Sequence, residues 1–377
     1  MAVNKYDIIF TGGGAACRML LFFLSKHKTF RALQILILEA ANTTTEKTWC
    51  YWGTASNPFQ QLVCKHWNEL QFEADQHCNK QTIYPFTYSC VNGNDFDAFF
   101  ETEFFSTYKN IQRVNSVVTA AYKKEELFVA ETATNQYTAP LVFNSIPGLT
   151  HTPEQVNMWQ HFEGWFIKTD TPCFNVAAAS LMNFNDYDEG VFRFMYVLPF
   201  TSTEALIEYT FYSGELYPSP VYEEKIRQYL HEKNITHYTI TKKEKGKIPL
   251  CSFGKQPSIG NGMIDIGTAG GLVKPSTGYA FQRMIEDCRS IADSVFSSQV
   301  VRRRKRSRRF LFYDQLLLRI IQEDPACAVG IFKQLFRKQP MQRILTFLNE
   351  DSTLLEEVRI FLSLPWAPFL RRIKFFK

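Results

Sequence analysis

Apolar residues gather in two short blocks near the start of the chain, "YDIIF" at Tyr6–Phe10 and "LQILILEA" at Leu33–Ala40. Short, mostly apolar runs of this length, closed by glycines or by an acid, predict buried strands. Between them the spacing changes to that of a helix, starting at Ala15 and running through "MLLFFL", Met19–Leu24. The same succession returns late in the chain. "MIDIGTAGG", Met263–Gly271, predicts a strand entering a glycine turn, and "STGYAFQRMIEDCRSIADSVF" predicts a helix from about Thr277. In the middle, "QHFEGWFIKTDTPCFN" and "LMNFN" predict strands with aromatic faces. "FRFMYVLPFTSTEALIEYTFYS", Phe192–Ser213, predicts a hairpin that turns near Thr201–Glu204. On its second strand Ala205, Ile207, Tyr209 and Phe211 alternate with Leu206, Glu208, Thr210 and Tyr212, so Glu208 shares a face with Leu206, Thr210 and Tyr212.

Strand, glycine turn, helix, strand and acid form the opening βαβ unit of a dinucleotide-binding fold. Gly12 permits the tight turn, and Gly13, Gly14, Ala15 and Ala16 bring small residues to the positive end of a helix, where a pyrophosphate is bound. Glu39, followed by Ala40, is placed to accept hydrogen bonds from a ribose diol. The third glycine of the pattern is replaced by Cys17. A nicotinamide and a flavin dinucleotide both fit this first half. The second turn, with Gly267, Thr268, Gly271, Thr277 and Gly278, favours one long cofactor held at both ends, FAD. Thr268 stands where many flavoproteins with this fold place an aspartate on the ribityl hydroxyls.

At 377 residues two or three structural units are expected. The 34 phenylalanines, 17 tyrosines and 6 tryptophans fit either a bulky core or a ring-lined cavity for an apolar or cationic guest. Net charge is +5 but unevenly placed, because the chain from Val301 carries 17 Lys and Arg against 7 Asp and Glu. The run "VRRRKRSRRF" reads as a solvated loop or an attachment to anionic lipid, with nucleic acid ranked last because no recognised nucleic-acid module accompanies it. Nine cysteines without a C-x-x-C pair lead us to expect reduced thiols in a cytoplasmic protein. No apolar run is long enough for a spanning helix. His66, His77 and Cys78 read as exposed polar residues, and no metal site is expected.

"TWCYW", "QHFEGW", "LMNF", the "LPF…ALIEYT" hairpin, "GKIPL" and "IGTAGGLVKPSTGYAF" occur in this order. With them the chain resembles the bacterial lycopene β-cyclases, from about residue 6 into the C-terminal segment. The resemblance implies an α/β fold of the glutathione reductase and p-hydroxybenzoate hydroxylase type. Residues 1–75, 100–160 and 255–300 would form a Rossmann-like FAD domain, with Trp49 and Val117 joining the cofactor-binding set. Residues 76–99 and 161–254 would form an inserted antiparallel β-sheet domain, and residues 301–377 a basic helical segment at the membrane surface.

The implied reaction is the non-redox, acid-catalysed closure of the acyclic ψ-ends of lycopene to β-rings. It would use reduced FAD, with NAD(P)H as reductant, in a cytoplasmic protein peripherally attached to the inner membrane. Glu208 of "LIEYT" would be the acid, because burial among apolar neighbours raises a carboxyl pKa until it can donate. Tyr51, Trp52, Trp165, Tyr196 and Tyr209 would line the substrate pocket, with "KTWCYWG" as a loop. The sequence departs from the family pattern at Glu46–Lys47, at Asn144, Asn175 and Asn183 in place of aspartates, at Ile146 in place of an arginine, and at Tyr209 in place of a second acid. An FAD-dependent monooxygenase or oxidoreductase of the same fold, acting on an apolar substrate, is the alternative.

Overall fold

Five parallel strands in the order Met263–Asp265, Leu141–Asn144, Ile8–Thr11, Ile35–Glu39, Ile111–Asn115 form the central sheet of this computed structural model. The structure describes residues 3–40, 47–54, 57–149, 158–187, 190–250, 262–297, 301, 303 and 307–373. The two apolar blocks become strands because both faces of this sheet are covered. On one face the helices Ala15–Leu24 and Phe281–Val295 share a core with Phe10, Ile37 and Phe143. On the other, an antiparallel meander of Val118–Lys124, Leu127–Thr132 and Gln136–Ala139 packs on Ile9, Leu36 and Val142. The expected start of the late helix is corrected. It begins at Phe281 rather than Thr277, because Gly278 has φ +72° and residues 277–280 are still turning.

The second unit is a seven-stranded sheet in the order Tyr238–Pro249, Trp159–Thr169, Glu204–Ser213, Phe192–Pro199, Ala178–Asn183, Glu69–Ala74, His77–Thr82. The hairpin turns where its sequence predicts, closed by Phe200 N–H donating to the Glu204 carbonyl at 2.8 Å. The boundary expected at residue 75 falls inside a hairpin, since Glu69–Ala74 pairs with His77–Thr82 within this sheet. A second correction concerns "TWCYWG". Thr48–Gly53 is a strand paired with Thr87–Asn92, not a loop, and its alternating aromatics fit a pleated, half-buried surface.

Each face of the seven-stranded sheet is occupied. The helix Ser219–Glu232 lays Tyr222, Ile226 and Leu230 on Ile207, Tyr209 and Phe211. The opposite face meets the C-terminal helices, with Phe336 stacked on Phe72 at 4.4 Å and Phe332 against Phe192 at 5.3 Å. The phenylalanines therefore serve both expected purposes, solid core and cavity wall. Two arginines of the basic stretch are tied down: Arg303 pairs with Asp287 at 2.7 Å and Arg309 with Glu357 at 2.9 Å. The remaining basic residues of that run, apart from Arg308, lie outside the described residues. Among the described residues no helix is long and apolar enough to cross a membrane.

Candidate active site

The N-terminal turn is shaped by close backbone approach. Gly12 has φ +92°, and a Cβ there would lie 2.2 Å from the Ser145 hydroxyl oxygen. Gly13 turns toward Glu39, whereas at Gly14 an added Cβ would meet nothing within 4 Å. Beyond Gly14 the first turn of the helix has neither a side-chain cap nor an acidic residue. Open space before uncapped N–H groups at a helix start is suited to a phosphate. Ala15 is half-buried, and Ala16 and Cys17 are buried. Cys17 thus fills the third glycine position without exposure, and burial holds its thiol strongly protonated.

Glu39 ends its strand as expected, but it is not alone there. Arg113 donates to Glu39 Oε1 from Nη2 at 2.7 Å and from Nε at 3.2 Å. Arg113 also pairs with Glu101, which pairs with the buried Arg18 at 3.1 Å. Ala40 is exposed, and Val117, 64% exposed, follows the adjacent parallel strand. These residues meet at the carboxyl ends of the strands, where ligands of open α/β sheets bind.

Asn144 stitches the sheet together. Its Oδ1 accepts from Thr11 Oγ1 at 2.8 Å, and its Nδ2 donates to Asp265 Oδ1 at 2.6 Å. An aspartate at this position would set two buried carboxyls against each other, so the amide matches the Asp265 of this chain. Asn183 caps a local turn by accepting from Asn185 N–H, and Asn175 does the same for Ala177 N–H. None of the three asparagines lines the cavity described below.

The late glycine turn closes onto the early one. Gly267, at φ +60°, sits so close to the first helix that a Cβ would be 2.7 Å from Ala16 Cβ. Gly271 and Gly278 also have positive φ. The loop is fastened from behind by Lys274, whose Nζ lies 2.8 Å from Asp314 and 3.2 Å from Glu350, with Ser276 donating to Asp314 Oδ1 at 2.6 Å. This buried cluster binds the turn to the C-terminal helices. Thr268, Thr277 and Gly278 face a cavity of about 900 Å³ lying between the seven-stranded sheet and those helices.

The cavity walls are mostly apolar and aromatic, among them Trp49, Trp52, Tyr196, Leu206, Phe332 and Phe361. Glu208 opens onto it and is 7% exposed. Its Oε1 accepts from Thr210 Oγ1 at 2.9 Å. Burial, and next the neighbouring carboxyl of Glu244, raise its pKa well above the usual carboxylate range, while the Thr210 hydrogen bond works the other way. Three tyrosine hydroxyls form a chain, with Tyr88 2.7 Å from both Tyr196 and Tyr279. Tyr279 crosses Trp52 edge to face at 4.6 Å.

Three expected pocket residues lie elsewhere. Tyr209 and Trp165 project from the opposite face of the sheet into the core beneath the helix Ser219–Glu232, where Tyr209 donates to Asp186 at 2.7 Å. Tyr51 stacks on Phe281 at 5.0 Å inside the core of the first unit. Conversely, the sequence reading missed Tyr279, Tyr88, Glu244 and Thr48, and named Tyr212 only as a neighbour of Glu208 on its strand face. Tyr279 lies inside the quoted glycine motif, which was its available signal. Among the described residues no group of three or more His, Cys, Asp or Glu side chains could hold a metal ion.

A parallel sheet with two apposed glycine turns, joined to a mixed sheet over an apolar cavity, is a Rossmann-like α/β fold, and solved structures of a reductase-like protein, a monooxygenase and a halogenase share it. Similar solved structures include a geranylgeranyl bacteriochlorophyll reductase-like protein from Thermoplasma acidophilum, at TM-score 0.62 and 9% identity over 99% of both chains. Others are p-nitrophenol 4-monooxygenase from Pseudomonas putida (TM-score 0.56, 12% identity, 97% of this chain and 99% of that one) and tryptophan halogenase from Shewanella frigidimarina (0.54, 11%, 99% and 98%). Among curated protein sequences there is no match. The family described as lycopene cyclase protein matches residues 7–374, and the chain belongs to that family.

Proposed function

We propose that this enzyme closes the acyclic ψ-ends of lycopene to β-rings by proton transfer, giving γ-carotene and β-carotene without net redox change. The observation that carries the proposal is Glu208, a carboxyl whose pKa is raised by burial, on the wall of an apolar cavity that reaches the late glycine turn. Gly12, Gly13, Gly14, Ala15 and Ala16 would hold the pyrophosphate of FAD, and Glu39, Ala40 and Val117 its adenosine end. Gly267, Thr268, Gly271, Thr277, Gly278 and Trp49 would hold its ribityl and ring end. Reduced FAD, maintained by NAD(P)H, supplies negative charge that favours a protonated acid and a nearby cation.

The residues of the chain do the rest. Glu208 gives its proton to a terminal alkene carbon, and a second double bond attacks the resulting tertiary cation. The ring faces of Trp52, Tyr196 and Tyr279 stand around the cavity, each worth about 0.5–2 kcal/mol to a cation that water does not reach. The Tyr196–Tyr88–Tyr279 hydrogen bonds occupy hydroxyls that could otherwise capture the cation. Glu208, Trp52, Tyr196 and the two glycine turns form the site we propose, with the parallel-sheet unit holding the cofactor and the mixed sheet the substrate.

The substrate is a hydrocarbon, so it is collected from a membrane surface. The helices Leu354–Leu362 and Trp366–Ile373, with Leu364 between them, turn Ile360, Phe361, Leu364 and Phe369 toward the cavity while exposing Leu354, Leu355, Val358, Leu362, Trp366 and Leu370. That two-sided arrangement supports a peripheral attachment at the inner membrane, with the cavity entrance against lipid.

The test is lycopene in liposomes with enzyme, FAD and NADPH, without oxygen. Product of unchanged mass and blue-shifted absorption is expected. Turnover that needs oxygen and changes the mass would replace this reading with a flavin-dependent oxidation.

A further inference from the structure

The strand register places one glycine between two acids. Gly164 is opposite Glu208 on one neighbouring strand and opposite Glu244 on the other. Residues in one row of adjacent strands point to the same face, and strand spacing puts the outer two α-carbons about 10 Å apart. The middle position has no side chain. A Cβ on Gly164 would come 2.8 Å from Leu206 Cδ1 and 3.2 Å from Glu208 Cβ, so a side chain there would crowd the space between the acids that glycine leaves open. Both carboxyls line the cavity and both are buried, Glu208 at 7% and Glu244 at 6% exposure. Each receives a hydroxyl, Thr210 Oγ1 on Glu208 Oε1 at 2.9 Å and Thr48 Oγ1 on Glu244 Oε2 at 2.7 Å.

The other carboxylates and the imidazole along the cavity are committed elsewhere. His161 bonds Tyr222 and Ser213, Glu163 accepts from Ser219, and Asp314 holds Lys274 and Ser276. Lys47, Lys245 and Lys247 are exposed cations. Burial raises the hydroxyl pKa values of Tyr212 and Tyr279, so neither becomes a base near neutrality.

We propose that Glu244 is the proton acceptor of the cyclisation, the partner of Glu208 across Gly164. This rests on the cyclase reading given above. In the first step the Glu208 O–H bond breaks and a C–H bond forms at the terminal alkene carbon. The electrons of a second double bond then form the ring C–C bond, which moves the positive charge to a ring carbon. Finally a C–H bond beside that carbon breaks, its electrons become the ring double bond, and its proton goes to the Glu244 carboxylate. Substrate and product are isomers, and one proton has moved from Glu208 to Glu244. Its return across the open gap over Gly164 resets the pair, and no oxidant or reductant is consumed. The Glu244 carboxyl is near enough to raise the pKa of Glu208, so negative charge on one favours the protonated form of the other.

The experiment uses the full chain with flavin bound. Glu244→Gln keeps the size of the side chain and can still accept from Thr48, so a structural role predicts near-normal turnover. Loss of a base predicts a fall in cyclisation rate of about 100-fold or more, with flavin affinity and melting temperature retained and partial recovery in Glu244→Asp. A second measurement needs no substrate. The infrared carboxyl band of Glu208, identified by its absence in Glu208→Gln, should titrate at lower pH in Glu244→Gln because the neighbouring negative charge is gone. Wild-type turnover in Glu244→Gln, or an unshifted Glu208 titration, overturns the proposal. Should the wild-type protein leave lycopene unchanged, the cyclase reading and this proton acceptor fall together, and the titration still decides whether the two acids are coupled.

Discussion

Gly267 and Ala16 meet at the contact between the two glycine turns, with room for no further carbon between them: a Cβ on Gly267 would be 2.7 Å from that of Ala16. The 250-residue gap between the turns is closed at this point. Gly267→Ala would force a side chain into φ +60° as well as into that contact. Strain of this kind costs about 1–3 kcal/mol. We expect a lower melting temperature together with weaker flavin binding, read by calorimetry and by flavin fluorescence. Unchanged flavin affinity in a destabilised variant would separate this contact from the cofactor site.

Glu208→Gln should abolish cyclisation and leave flavin binding intact. It should also stabilise the protein. A carboxyl whose pKa is raised on folding keeps its proton while the unfolded chain, with a pKa near 4.3, releases it. Stability therefore declines as pH rises from the ordinary carboxylate range through the raised value, and the amide removes that decline. Melting temperatures of the two proteins should converge near pH 4 and separate at pH 8, with the variant higher. A variant that melts lower at pH 8 would mean that the acid is a structural element.

His161 gives the opposite pH dependence. Its Nδ1 is 2.5 Å from the Tyr222 hydroxyl and its Nε2 is 2.8 Å from the Ser213 hydroxyl. Burial lowers its pKa to about 4. The unfolded chain, with an imidazole pKa near 6.5, takes up a proton first as pH falls. The contribution of His161 is complete above about pH 6.5 and is lost as pH falls through about 4. His161→Gln should flatten the melting-temperature profile across that window. An equally steep profile would assign the acid sensitivity to other groups.

The parallel sheet, both glycine turns and the hairpin were legible because each is written in local spacing. Alternation along residues 204–213 places Glu208 correctly, and the same alternation excludes Tyr209 from the cavity, an implication the pocket assignment of Tyr209 overlooked. Trp165 fails for the same reason, one residue out of step with Gly164. Glu244 was hidden by its company: in "KKEKGK" it reads as one charge on a solvated strand, and only the pairing with Trp159–Thr169 brings it beside Gly164. The Tyr196–Tyr88–Tyr279 chain joins positions up to 191 residues apart, which no local pattern encodes.

The outer face of the last two helices supplies the remaining prediction. Leu354 is 66% exposed, Leu362 63% and Trp366 53%, and among the described residues none covers these side chains. Arg371 is exposed in the last turn beside them, as suits an anionic lipid surface. Replacing Leu354, Leu362 and Trp366 together by serine removes little from the folded core, so circular dichroism and melting temperature should hardly change. Full burial of each such side chain stabilises by about 1.5–3 kcal/mol, and partial burial at an interface by less. Partitioning onto vesicles containing anionic lipid should therefore fall by about tenfold or more, and conversion of vesicle-borne lycopene should fall with it, while flavin binding stays constant. Partitioning at the wild-type level would place the lipid contact on another surface, and the entrance to the cavity with it.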